Sequence, residues 1–348
     1  MSATDNLGPV GSVGHAAPPV DVAVVVIGRN EGQRLVDCLA SVRAADWGDC
    51  VFELIYVDSN STDASCDHAR QAGARVIEVK PLRPTAAVGR NAGWRATSAA
   101  QVLFLDGDTL LVPDFVRAAR AALAENAQRA VVWGHRRERR TEASVFNRVL
   151  DLDWVYPPGE TEFCGGDALF VRSALVQVGG FNETLIAGEE PELCARLRQG
   201  GWRIQHIDAP MTYHDLAMTR WRQYWLRAER AGHAYAEVSH RLAGTSTPLW
   251  QHEKRRNRLH SLVLLLYFSL ALVGLATQQW LAVSLVLAAG AAVVVRSAWR
   301  ARWKSGNPGT LLLYALHSHV QQLPIAWGQV RWLWSRRKGQ ARELIDYK

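Results

Sequence analysis

The sequence predicts an α/β fold, a doubly wound, mostly parallel sheet in the first two thirds of the chain, followed by a C-terminal transmembrane helical hairpin. Three observations carry this reading. Apolar, β-branched runs alternate with amphipathic segments over the first hundred residues, the pattern of a parallel sheet covered by helices on both faces. Three of these runs end on acidic or amide side chains, as strand ends that bear a ligand site do. Two long runs near the end contain no Asp, Glu, Lys or Arg and are bracketed by basic clusters.

In chain order, residues 1–20 lack the basic start and apolar stretch of a signal peptide and read as a flexible leader. "VAVVVIG", Val22 to Gly28, has the length and apolar continuity of a strand buried on both faces. Leu35, Cys38, Leu39 and Val42 then recur at helical spacing. "FELIYVD" is a second strand that ends on Asp58, and the following "SNSTDAS" offers side chains that cap helices. "ARVIEV" and "QVLFLD" are the third and fourth strands. The fourth exits through Asp106, Gly107 and Asp108. Two carboxylates on one tight turn repel each other unless a cation lies between them, and hard oxygen ligands of this kind suit Mg²⁺ or Mn²⁺. Asn30 and Glu31 follow the first strand, so several strand ends converge on one polar edge.

The sheet domain is expected over residues 21–250 and a membrane region over 251–348. "LHSLVLLLYFSLALVGLA" (259–276) and "WLAVSLVLAAGAAVVV" (280–295) would reach about 27 and 24 Å as helices, close to the hydrocarbon thickness of a bilayer. "KRRNR" precedes the first run, "RSAWRARWK" follows the second, and the link "TQQ" is uncharged. By the positive-inside rule both ends of this hairpin are cytoplasmic. The segment over about 310–334 carries His317, His319 and Pro324, and reads either as an amphipathic helix lying in the interface or as a third span.

The formal charge of +7 over 348 residues is uneven. From Gln251 onward there are 14 Lys/Arg and 3 Asp/Glu, leaving 26 and 30 before it. A nucleic-acid reader would carry its basic surface on the folded domain. Here the excess flanks apolar runs, which points to a membrane and away from nucleic acid. Five cysteines without a CxxC pair fit a reduced, cytosol-facing compartment.

Five ordered segments carry a resemblance. "VVVIGRNEGQRLVDCLASV", "LIYVDSNSTDAS", "VGRNAGWRATSAAQVLFLDGDT", "FCGGDALFVRSALVQVGGFNE" and "AGEEPELCARLRQGGWRI" together resemble the family 2 glycosyltransferases of GT-A fold, membrane-anchored and of bacterial type. The resemblance implies a nucleotide-sugar donor and a divalent ion, Mn²⁺ or Mg²⁺. Asn30, Glu31 and Asp58 match the nucleotide pocket, and Arg90 matches a basic residue near the diphosphate. Asp106 and Asp108 match the D-x-D pair. Glu190 stands where the family places its catalytic base, usually an aspartate. His214 in "MTYHD" matches a third metal ligand in several relatives, or is an ordinary surface histidine. Asp167 in "CGGDALF" matches the region near the acceptor and donor sugar.

The implied activity is inverting transfer of one sugar to a lipid or lipid-linked saccharide at the cytosolic face of the bacterial cytoplasmic (inner) membrane. A polyprenyl-phosphate acceptor and a non-catalytic nucleotide-binding scaffold stand as alternatives. A base at Glu190 leans toward a hydroxyl acceptor, since an ionised phosphate needs none. The run "HRRERR", 135–140, is a solvated face or a contact for an anionic head group. The donor's base and sugar, the acceptor and the oligomeric state stay open at this point.

Overall fold

The computed structural model describes residues 20–339; the expected leader, Val20 apart, lies outside the described residues. The first elements are β1 (Val22–Gly28), α1 (Gln33–Arg43), β2 (Phe52–Asp58), α2 (Ser65–Gln71), β3 (Arg75–Glu78), α3 (Ala86–Arg95) and β4 (Gln101–Asp106). After these come β5 (Thr109–Leu111), α4 (Phe115–Ala124), β6 (Arg129–Glu138), α5 (Val145–Asp151) and a 3₁₀ turn, Leu152–Trp154. Next are β7 (Gly159–Glu160), β8 (Ala168–Val171), α6 (Arg172–Val178), α7 (Glu189–Gln199), β9 (Arg203–His214) and α8 (Trp221–Arg241). Four helices close the chain: α9 (Gln251–Ala276), α10 (Trp280–Arg300), α11 (Pro308–Val320) and α12 (Gln322–Arg337).

One sheet runs in the order β3-β2-β1-β4-β8-β6-β9-β5, with β7 also on β9. It is a mixed sheet whose pairing is mostly parallel, as expected, with β6 running parallel to β9. Strands β1 to β4 are parallel, as expected from the strand-helix alternation. Beyond residue 106 that alternation stops, and β8 runs antiparallel to both β4 and β6 while β5 and β7 run antiparallel to β9.

The β-branched run Val22–Val26 is wholly buried in the main apolar cluster. Burying both faces of β1 brings α3 so close that a Cβ at Gly93 would collide with Val25. In register, Gly28 lies beside Asp58 and Ile27 beside Asp106. Three acid-bearing strand ends therefore share one edge, where doubly wound sheets hold their ligands.

Helices α9 and α10 are long and apolar enough to cross a membrane, and only 11% of each apolar window is buried in the protein. A core helix of a soluble protein would be mostly covered; these present Leu262, Leu266, Leu272 and Leu285 outward. The segment expected as one element over 310–334 is two helices meeting at Gln321. Helix α12 lies directly on α8. Gly232 of α8 meets the Ile325 carbonyl and Gly328 of α12 meets the Glu229 carbonyl, each so closely that no Cβ fits. Arg331 pairs with Glu229 across the same contact.

Candidate active site

A cleft of about 780 Å³ opens at the strand-end edge, with Gly28, Glu31, Asp106 and Gly107 on the sheet side. Its opposite wall comes from α8, through Arg227, Arg230, Ala234 and Tyr235, and from Trp250 at the start of α9. Of the residues singled out from sequence, Asn30, Glu31, Arg90, Asp106 and Glu190 border this cleft.

At its floor, the buried guanidinium of Arg90 gathers three carboxylates from two distant parts of the chain. Nη2 donates to Asp106 Oδ1 at 2.8 Å, and Nη1 to Glu190 Oε1 at 2.7 Å and Glu189 Oε1 at 3.2 Å. Thr85 caps α3 by accepting from Val88 N, which fixes the helix that delivers Arg90. Burial alone would lower the Arg90 pKa, but Glu190, Asp106 and Glu189 raise it above the ordinary value. Asp106 is held below the usual carboxylate range by Arg90, and then Arg136, against the effect of burial. Glu190 moves the other way: burial, reinforced by neighbouring Glu189, pushes it up to about 7 despite Arg90. Gly166 is required beside this group, since a Cβ there would lie 2.7 Å from Arg90 Nη2 and 3.0 Å from Asp106 Oδ2.

Asp106, Asp108 and His214 present ligand atoms that all lie within 4.8 Å of one another. The pairing of β5 with β9 makes this possible by setting Thr109 opposite His214. His214 Nε2 is 3.3 Å from Asp108 Oδ1. Two carboxylates and one imidazole at this spacing fit Mn²⁺ or Mg²⁺ by donor chemistry.

Asp167, expected near the acceptor and the donor sugar, lies instead behind the strand end and does not border the cleft. It is fully buried, accepting from Asp106 N at 3.0 Å and Thr212 Oγ1 at 2.8 Å, and it pairs with Arg136 at 2.8 Å. These bonds make it a brace for Asp106. On the other side, Asn30 accepts from Thr62 N at 2.7 Å in a left-handed backbone conformation. Glu31 pairs with Arg34 at 2.7 Å. Asp58 accepts from Tyr56 OH at 3.0 Å and from Ser61 N at 2.8 Å, and is buried beside the cleft rather than lining it.

Several cleft residues escape the sequence reading. Arg136 is one of the six in "HRRERR", and it alone of that run borders the cleft. His135, Arg137 and Arg139 pair with Asp208, Asp151 and Asp37 instead. Strand alternation in β6 is the signal that separates them. Glu189 and the α8 pair Arg227 and Arg230 carry no comparable signal.

With the geometry described, comparison with known proteins adds the following. The model of Glycosyl transferase family 2 matches residues 23–173, and that of Glycosyl transferase family group 2 matches residues 101–327. Pre-mycofactocin glycosyltransferases from two strains of Mycobacterium tuberculosis are 29% identical over 264 residues, covering 68% of this chain and 53% of theirs. The chain thus spans about half the length of the curated relatives it matches. Among solved structures, mannosyltransferase PcManGT from Pyrobaculum calidifontis, in complex with GDP-Man and Mn²⁺, superposes with a TM-score of 0.60 at 19% identity, covering 92% of this chain and 88% of its own. S. aureus TarS 1–349 with UDP-GlcNAc gives 0.51 at 15% identity, covering 92% and 93%. At these identities the two structures speak to the fold alone, which is of GT-A type.

Proposed function

We propose, because this chain belongs to glycosyl transferase family 2, that it moves one sugar from a nucleotide-sugar donor to a hydroxyl of a lipid or lipid-linked saccharide, with inversion at the anomeric carbon. The observation that carries this reading is the Arg90 group. One buried guanidinium holds Asp106, at the exit of β4, and Glu190, at the start of α7, on the floor of a single cleft.

In this reading the nucleotide lies toward Asn30, Glu31 and Asp58, and the donor's diphosphate toward Asp106. A divalent ion held by Asp106, Asp108 and His214 would offset the charge of the departing nucleoside diphosphate. Glu190 is the general base, taking the proton from the acceptor hydroxyl as that oxygen attacks the sugar. A pKa raised to about 7 suits that task, because such a group is about half ionised at neutral pH and basic enough to accept a proton. Arg90 keeps Glu190 and Asp106 at a fixed separation, so the base and the leaving-group side stay in register with each other. Every hydrogen bond described for Arg90 runs to a protein carboxylate, which favours this organising role over direct contact with the diphosphate.

The two exposed apolar helices support placement at a membrane, with the cleft on the cytosolic side of the bacterial inner membrane. A membrane-held enzyme gains most from an acceptor held in the same bilayer.

A panel of nucleotide sugars, tested with Mn²⁺ for a rise in melting temperature, tests the reading, since a donor that binds only the folded state stabilises it. One donor should stabilise the protein, and Glu190→Gln should keep that stabilisation while lowering transfer about 10²- to 10⁴-fold. Stabilisation by none of them, or full turnover by Glu190→Gln, would remove the assignment.

A further inference from the structure

We propose that Trp154 is a positioning residue for the candidate metal site, and that helices packed beside the apolar hairpin set its place. The proposal rests on the reading of His214 as a ligand. The Trp154 ring lies 5.1 Å from the His214 ring, tilted by 59°. The guanidinium carbon of Arg136 sits over the same indole at 5.5 Å. Arg136 in turn carries Asp167, whose other oxygen accepts from the backbone N–H of Asp106. One indole therefore touches both groups that flank the acid pair: the imidazole that faces Asp108, and the arginine that steadies the brace of Asp106.

The indole is the last residue of the 3₁₀ turn Leu152–Trp154, and the two residues before it are gripped from the C-terminal helices. Leu152 is buried against Ala298 of α10 and Leu311 and Ala315 of α11, with half-buried Val155 packed beside them. Lys304 Nζ donates to the Leu152 carbonyl at 2.6 Å and to Tyr314 OH at 3.1 Å. His317 of α11 bonds Asp153 Oδ2 through Nε2 at 3.2 Å and meets Tyr224 OH of α8 through Nδ1 at 2.9 Å. The neutral tautomer with its proton on Nε2 satisfies both, donating to Asp153 and accepting from Tyr224. Backbone and side chain of the turn are thus fixed by residues 304–317, and the next side chain in the turn orients His214 and Arg136. Partners that orient a metal ligand from behind change metal affinity without touching the ion. Docking of α11 is accordingly part of the site's geometry, although no residue of that helix borders the cleft.

The test uses the full chain in detergent, titrated with Mn²⁺ alone and read by the loss of the free-ion electron paramagnetic resonance signal. The melting temperature without metal serves as the folding control. His214→Ala should weaken Mn²⁺ binding and checks the underlying reading. Trp154→Leu should weaken it roughly 10- to 100-fold, and Trp154→Phe, which keeps a ring between the same neighbours, should recover most of that loss. Lys304→Met keeps the tryptophan but loosens the turn that places it, so it should weaken Mn²⁺ several-fold by itself. If His214→Ala loses binding while Trp154→Leu and Lys304→Met both bind as the unaltered chain does, the inference is overturned and the ligand assignment stands. If His214→Ala binds Mn²⁺ normally, the ligand assignment falls and takes the inference with it.

Discussion

Glu189 and Glu190 stand side by side on one arginine, and burial, helped by this neighbour, is what makes the second usable. At Glu190 the effect of burial outweighs the pull of Arg90, and the neighbouring charge of Glu189 adds to it. Together they leave Glu190 near 7. Only the ionised form can accept a proton, so kcat/KM should fall about tenfold per unit as pH drops below about 7. A pH–rate profile flat from 5 to 8 would contradict this. At the other end of the group, Asp108→Asn removes one of the two carboxylates and should weaken Mn²⁺-dependent binding of a nucleoside diphosphate by more than tenfold, measured by calorimetry with and without the ion. Unchanged affinity would exclude Asp108 as a ligand. The acids themselves are legible in the sequence, because Asp106, Asp108 and Glu190 belong to short motifs with fixed spacing. Arg136 is not, because a run of four arginines looks like a solvated face until β6 assigns alternate residues to opposite sides. Asp167 shows the converse: its motif is visible, but the bonds that turn it inward come from Thr212 and Arg136, remote in sequence.

Helix α8 is an element whose role rests on a helix that arrives about ninety residues later. Gly232 and Gly328 remove the side chains that would separate α8 from α12, so backbone meets backbone. Gly328→Leu would force the helices apart at a cost of about 1–3 kcal/mol or more. It should lower the melting temperature and, because Arg227 and Arg230 of α8 line the cleft, raise KM for the acceptor; melting and KM both unchanged would show that the contact is dispensable. Isolated glycines in helical segments give no outward sign of such a contact, and so the sequence reading assigns 310–334 to the membrane or its surface without finding its partner. Apolar runs flanked by charge are a stronger signal, and α9 and α10 appear where those runs stand. The parallel run β1 to β4 is legible for a similar reason, since β1, β2 and β3 are each followed directly by a helix. The rest of the sheet joins the long parallel pair β6 and β9 through short antiparallel strands such as β5 and β8, whose pairing depends on partners far along the chain.

At the scale of the whole molecule, the +11 of the last hundred residues lies beside two outward-facing apolar helices. Each basic residue near an anionic bilayer surface contributes about 1 kcal/mol to attachment. Salt screens that attraction but not insertion of the apolar hairpin, so the protein should float with vesicles of phosphatidylglycerol even at high salt, whereas a chain ending at residue 250 should not float with them. Recovery of the full-length protein in a detergent-free supernatant would contradict the hairpin assignment. Trp250 joins these two worlds. It borders the cleft, stacks edge-on with Tyr235 and Phe163, and is followed at once by α9. Only eight residues separate it from the first uncharged turn, a helical rise of about 12 Å. If α9 is seated in a bilayer as proposed, that rise would work as a ruler. Under the proposed reading, acceptor hydroxyls close to the lipid surface would come within reach and the far tip of a long glycan stalk would overshoot the cleft, so transfer should fall as the acceptor's stalk is lengthened.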